Sequence, residues 1–421
     1  MEFTLKSAAA RVSFAAACLL FALSFEIVSL RQYLAYRNYT TFTLPGLEKA
    51  TRLDPWNSEY AHMLGRIYLD QEQDFGAAQS TIRRAIQLNP HNPRYYLDLA
   101  NIDQVTGDSQ AEEKDLERAR AAEPTMPQVS WEVANLYLSR GDLPNAFRSF
   151  ATVEENSPLL CRQAIQLSLR VQPNVDVLLQ YIPRRVDTLS SLLQVLYEQR
   201  KLKEAAKVWP ALVALRQPLD SDYVRGYLSA LMVYDSPQIE QAQQVWNDFL
   251  TVNQEMDDYA STGNLVANGG FEHDVLGWGF DWQYARTPQV IVAQENGVFH
   301  SGSRSLSVSF DGSDIRNFGV FQYIPVKRNT RYVLRAFVRA DNILGSSGPR
   351  LAVTAPYDFS QRLYTSDDIL GTSLWSSLEG SFTTGADTQM VAVVLLRNSP
   401  YDPIKGHLWL DEVSITQEDG H

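Results

Sequence analysis

Cysteine is almost missing from this chain of 421 residues, which has only Cys18 and Cys161. One lies in an apolar N-terminal run and the other in a stretch of helical periodicity, so neither a disulfide framework nor a thiolate metal site can be built. Histidine is equally sparse, six scattered residues, which removes the common zinc clusters. There is no Lys/Arg-rich run, and the net charge of −12 with a pI near 5.1 argues against nucleic acid as a partner. The nucleophile elbow, the helical zinc-protease motif, the phosphate-binding loop and the dinucleotide fingerprint are all absent. The expectation is a protein that is not an enzyme.

What the chain does have begins with Val12–Leu30, a nearly continuous apolar run with Lys6 and Arg11 before it and Arg31 after it. As a helix it would rise roughly 28 Å, about the thickness of a hydrocarbon core. An uncleaved anchor and a cleaved signal peptide both fit; the anchor is preferred because no small-x-small cleavage site follows Leu23. Glu26 lies inside the run but close enough to its end to reach the interface. The expected order is a short cytoplasmic tail over 1–11, a transmembrane signal-anchor over 12–30, and the bulk of the chain exported.

From Pro45 a repeat appears. Ala50…Pro55, Ala85…Pro90, Ala119…Pro124 and Val153…Pro158 keep one frame, with periods of 35, 34 and 34 residues. Inside it, Leu64-Gly65-x2-Tyr68 is echoed by Ala134-x2-Tyr137, while the middle copy keeps Leu99-Ala100 and departs at Asp103. The period and these positions resemble the tetratricopeptide repeat, a stack of helix pairs in which small residues let helices approach and prolines end them. Residues 31–158 are assigned to it, with Gln32–Tyr39 as a first half-repeat, and 159–252 to degenerate helical repeats. The resemblance implies protein partners held on a concave solenoid face.

A polar linker over 253–263 separates this region from a β-like one. Runs alternating at period two cover Gln289–Ala293, Arg304–Phe310, Gly319–Val326, Tyr332–Ala340, Leu351–Ala355, Leu378–Thr383, Met390–Arg397 and His407–Ile415. Short strands with Gly, Asp, Asn and Pro turns predict an antiparallel β-sandwich of jelly-roll type over 264–421. The predicted fold class is therefore multidomain α + β: a transmembrane helix, an α-helical solenoid, and an antiparallel sandwich.

Asn264–Trp282, with Asn268-Gly269-Gly270-Phe271-Glu272 and then Gly277-Trp278, resembles the opening of carbohydrate-binding-module sandwiches of the family 4/9/22 type, within the galactose-binding-like superfamily. Ser303–Val308, the Gln322 strand, Tyr332-x-Leu334 and Leu408–Ile415 extend the likeness. It implies a structural Ca2+ pinning the first strand to the last, with Glu272 and Asp411 as the matching residues and backbone carbonyls of His300–Ser303 completing the shell. The alternative is that both carboxylates accept backbone hydrogen bonds at strand ends.

A sugar-binding face needs aromatic platforms beside planar polar groups. With Tyr332, Leu334, Ala336 and Val338 turned inward, strand parity leaves Arg335, Phe337 and Arg339 on the other face, which Gln322 and Arg397 could join from neighbouring strands. Trp282, Tyr284, Tyr357 and Tyr401 are the loop aromatics for stacking, local packing being the alternative for each. Trp278 and Trp375 match structural tryptophans of the family and are expected to be buried.

The combination implies a bacterial inner-membrane protein, periplasmic in bulk, acting as an adaptor in synthesis, export or assembly of an exopolysaccharide or envelope glycan. A purely protein-binding scaffold with a silent sandwich is the alternative. A glycoside hydrolase with an unrecognised carboxylate pair is the weaker one.

Overall fold

The structure, a computed structural model, describes residues 8–233, 237–253, 263–284, 287–315, 317–398 and 402–418. Among them are fourteen helices followed by nine strands. They form two compact units, residues 1–183 and 184–421. Most of the linker expected at 253–263 falls on 254–262, outside the described residues, as does Tyr401.

The first unit opens with α1 (Ala8–Tyr39), a single unbroken helix of 32 residues. It is long and apolar enough to cross a membrane, with mean hydropathy 2.0 over its most apolar window and none of that window buried. The expected division at Leu30 is no break in the backbone: the apolar run and the first packed turn are one helix. α2 (Leu44–Leu53) folds back along its end, Ala35 packing with Ala50 and Tyr60.

Helix pairs follow at the period read from the sequence. α3 (Ser58–Asp70) packs on α4 (Phe75–Leu88), α5 (Pro93–Thr106) on α6 (Ser109–Ala122), and α7 (Pro127–Ser139) on α8 (Leu143–Asn156). Each N-terminus has its local cause. Asn57, Asp74, Asn92, Asp108 and Asp142 cap the free N–H groups of the helices they precede, and Pro93 and Pro127 occupy first-turn positions where no N–H is needed. Gly65 is needed for approach, since a Cβ there would stand 2.6 Å from Ile82 Cγ1 of the paired helix. Ala100 and Ala134, the equivalent residues, are fully buried. α9 (Pro158–Val171) and the short α10 (Val175–Leu178) complete the unit.

The second unit joins α11 (Val186–Glu198), α12 (Leu202–Val213), α13 (Ser221–Val233) and α14 (Ile239–Val252) to the strands. Aromatic packing makes this junction. Trp246 of α14 meets Trp278 edge-on at 4.9 Å between ring centres and Phe249 meets it at 5.0 Å. Gly279, at φ +64, lets the turn lie flat on Trp246, whose ring would be 2.4 Å from a Cβ there.

Two antiparallel sheets form the sandwich. β1 (Val290–Glu295), β2 (Ser305–Asp314), β9 (Pro403–Gln417), β4 (Arg331–Leu344) and β7 (Gly371–Thr383) lie in that spatial order in one, and β3 (Asn317–Pro325), β8 (Met390–Leu396), β5 (Arg350–Thr354) and β6 (Arg362–Thr365) in the other. Inward residues of both sheets build one core, including Val308, Phe318, Leu334, Val393 and Leu410. Two differences from the sequence reading concern edges. β6 is a four-residue edge strand with no alternation to mark it, and β7 starts at Gly371 rather than Leu378 because its first half carries no run of apolar residues.

One buried charge in the first unit is uncompensated. Glu154 of α8 is buried, its Oε2 has no hydrogen-bond partner, and burial, aided by Glu155, pushes its carboxyl well above the usual range. The native state then binds the extra proton between the unfolded value and the raised one, so stability falls as pH rises through that window. Glu154→Met is expected to raise the unfolding free energy by about 1–2 kcal/mol at pH 7, followed by helical circular dichroism in urea, and the gain should shrink on acidification toward pH 5.

Candidate functional site

Along β4 the residues alternate as parity requires: Tyr332, Leu334, Ala336 and Val338 are buried while Arg335 is exposed. Phe337 and Arg339 share the outward side. Around them the outer face of the five-stranded sheet assembles an aromatic and polar group from three chain segments, the loop at His300, β4 and β7. His300 lies flat on Phe337, 3.7 Å between ring centres at 12°, and edge-on to Trp375 of β7 at 5.7 Å. Arg335 faces Glu379 across the β4–β7 pair, Nε to Oε2 3.0 Å. Both side chains are nearly 60% exposed (59% and 58%), so the pair is weak and open to exchange for a ligand's hydroxyls. The bond from Arg335 holds the Glu379 carboxyl below its usual range.

Beside this group is a cleft of about 480 Å³ lined by Asn264, Asn268, Glu272, Arg335, Phe337 and Glu412, among others. Its walls are set by a loop clasped from two sides. Glu272 accepts from the Ser303 N–H (2.8 Å), the Ser303 hydroxyl (2.6 Å) and the Arg304 N–H (3.1 Å). Burial alone would raise this carboxyl, but those bonds outweigh it and hold it low. Asp411, fully buried on β9, accepts from the N–H groups of His300 (2.8 Å), Ser301 (3.2 Å) and Glu412 (2.7 Å); here burial wins and the carboxyl is raised. Glu412 in turn holds the His300 ring (2.8 Å) and the Ser301 hydroxyl. Each oxygen of Glu272 and Asp411 faces an N–H or O–H donor, the hydrogen-bonded arrangement that the sequence reading held as the alternative to an ion; among the described residues there is no group of three or more His, Cys, Asp or Glu that could hold a metal.

Of the residues the sequence marked for sugar contact, the structure brings Arg335 and Phe337 to this face and places the others elsewhere. Gln322 belongs to the other sheet and is fully buried, gripping Ala267 through both its N–H (3.0 Å) and its carbonyl (2.8 Å). Arg397 is likewise inside, donating to the carbonyls of Ser347 and Asp402. Trp282 is a core residue, 0% exposed, against Phe271, with its indole N–H on the Asn268 carbonyl. Gln322 and Arg397 are corrected because parity gave a strand's two faces, not the sheet that would receive them; for Trp282, a loop aromatic, local packing is the alternative that the structure shows. Tyr284 is half-buried against the core.

Tyr357 sits on the opposite side. Its hydroxyl donates to the Met232 carbonyl of α13 (3.0 Å), its ring meets Tyr323 at 5.5 Å, and burial pushes the phenol up to about 12. With Phe359 on Phe321, the 355–361 loop packs on the outer face of the four-stranded sheet, Tyr357 itself staying half exposed beside a cleft of about 430 Å³. Trp278 is buried as expected, whereas Trp375 is only half-buried. His300 and Trp375 are the site residues that sequence reading missed or misplaced: it used the 300–304 loop for backbone carbonyls toward an ion and for the strand that follows, not for the His300 ring.

Comparison with known proteins places the sandwich and not the whole chain. Residues 263–400 match the family model described as a carbohydrate binding domain, of the CBM4/9 type. No curated protein matches the chain. Among solved structures, "CBM4 structure and function" is 11% identical at a TM-score of 0.29, over 36% of this chain and 99% of the other. The CBM22-1 xylan-binding domain from Paenibacillus barcinonensis Xyn10C is 16% identical at a TM-score of 0.27, over 38% and 99%. The MamA protein is 18% identical at 0.26, over 45% and 91%.

Gln322→Ala is expected to cost about 2–4 kcal/mol, through two lost backbone hydrogen bonds and a cavity, when unfolding of the second unit is followed by tryptophan fluorescence. Because the clasp is filled by N–H and O–H donors, the same unfolding transition should not move when a calcium chelator is added. A lower transition temperature with chelator, restored by calcium, would show the structural ion instead.

Proposed function

We propose that this chain is a membrane-anchored, carbohydrate-binding adaptor. The observation that carries the reading is the partly exposed group of Trp375, His300 and Phe337 beside the Arg335–Glu379 pair and the adjoining cleft. Such a surface offers a pyranose ring an aromatic edge to lie on and planar polar groups for its hydroxyls. The match of 263–400 to a carbohydrate binding domain supports the same ligand class.

In this reading α1 anchors the chain in a bacterial inner membrane with the bulk periplasmic, and the helix pairs form a tetratricopeptide solenoid that holds protein partners. The sandwich is a jelly roll presenting a bound exopolysaccharide or envelope glycan. Binding without catalysis is favoured because the two glutamates of the cleft, Glu272 and Glu412, are both occupied in holding the 300–304 loop. The second reading, a scaffold with a silent sandwich, is favoured by the cover that the 355–361 loop and Met232 place over the four-stranded sheet.

Affinity electrophoresis of the full chain in detergent through gels containing bacterial and plant polysaccharides separates the two. Retardation by a defined glycan is expected, weakened about tenfold by Trp375→Ala and severalfold by Arg335→Ala, with both variants folded by circular dichroism. Absence of retardation by every glycan, or retention unaffected by both substitutions, would move the assignment to the scaffold.

A further inference from the structure

α1 and α2 form a hairpin whose levels can be read contact by contact. Tyr39 packs with Leu44 and Leu47 near the loop, Ala35 with Ala50 midway, and at the far end the Arg31 guanidinium donates to the Leu53 carbonyl at 2.9 Å. Arg31 is the first residue beyond the apolar run that ends at Leu30. The return of α2 therefore delivers the following turn, Asp54–Asn57, to the level where the apolar part of α1 stops.

At that turn stands Trp56, 77% exposed, an exposure unusual for an indole in a folded domain. Against its ring stands a cation, the Arg84 guanidinium 5.8 Å from the ring centre. Arg52 extends nearby with its side chain 72% exposed, loosely paired to Glu48 at 4.0 Å. On α1 itself Tyr33 and Tyr36 are 60% and 58% exposed, one turn beyond Arg31. Exposed aromatics among arginines, at the end of an apolar helix long enough to span, are what a lipid headgroup layer accepts: rings at the interface, guanidinium groups on phosphate oxygens.

We propose that the Asp54–Asn57 turn rests on the membrane that α1 crosses, Trp56 lying in the phospholipid headgroup layer with Arg31, Arg52 and Arg84 against its phosphates. The proposal depends on the anchor reading of α1. With the helix unbroken and its first partner touching lipid, the first helix pairs stand directly on the bilayer at a set angle instead of swinging on a tether.

The full chain is reconstituted into vesicles of phosphatidylcholine and phosphatidylglycerol, floated after an alkaline wash, and its tryptophan emission measured with and without lipids spin-labelled near the headgroup. The chain has eight tryptophans, so Trp56→Phe, checked for fold by circular dichroism, isolates one of them. Floating protein whose quenching is mostly lost in Trp56→Phe is the expected result. Floating protein with the same quenching in both forms would overturn the membrane contact while leaving the anchor intact. Protein that does not float would remove the anchor reading and the contact with it.

Discussion

Glu272 and Asp411 stand 139 positions apart in numbering, yet between them they gather the backbone N–H groups of one loop, His300 to Arg304. The outer face of the five-stranded sheet depends on that clasp. It holds the His300 ring flat on Phe337, sets Glu412 against the loop, and leaves the cleft open beside Arg335. A carboxylate accepting several N–H groups is among the firmest ways to pin an irregular segment, because charge-assisted bonds replace the water the loop would otherwise need. The same geometry accounts for the two carboxyls being shifted in opposite directions. Both are hydrogen-bonded alike, but Asp411 is deeper, and its burial outweighs the bonds that hold Glu272 low.

A second constraint decides which surface of the sandwich is open. The four-stranded sheet carries aromatic residues on its outer side, Phe321 and Tyr323, and these are met by Phe359 and Tyr357 from the 355–361 loop. On the five-stranded sheet the 300–304 loop lays the His300 ring on Phe337, and the outward residues beside it are mixed polar and aromatic, with Arg335 and Glu379 open to solvent. Within this unit, Trp246 and Phe249 hold the turn at Trp278, so α14 is part of what positions the sandwich. Helices and sandwich share one unit for that reason, although in sequence they read as separate domains.

Much of the fold was legible because it rests on periodicity. The 34–35-residue step located every helix pair from α3 to α8, and Gly65, Ala100 and Ala134 marked where helices touch. Alternation located seven of the nine strands closely, and correctly turned Arg335 and Phe337 outward. It missed β6 and shortened β7, since edge strands bury too little to need an apolar rhythm.

By itself the sequence determined which residues alternate, where helices start and stop, and that a spanning-length apolar helix leads the chain, because each of these follows from local spacing. Only the tertiary structure decided that Gln322 and Arg397 face into the protein, that Trp282 is core, and that His300 and Trp375 join Phe337 in one partly exposed group. The physical reason is one of neighbourhood. Parity assigns a side chain to one of two faces, but which sheet receives the strand, and which loop then covers or bares that face, depends on partners far away in sequence, as Val393 is for Gln322 and Trp375 for His300.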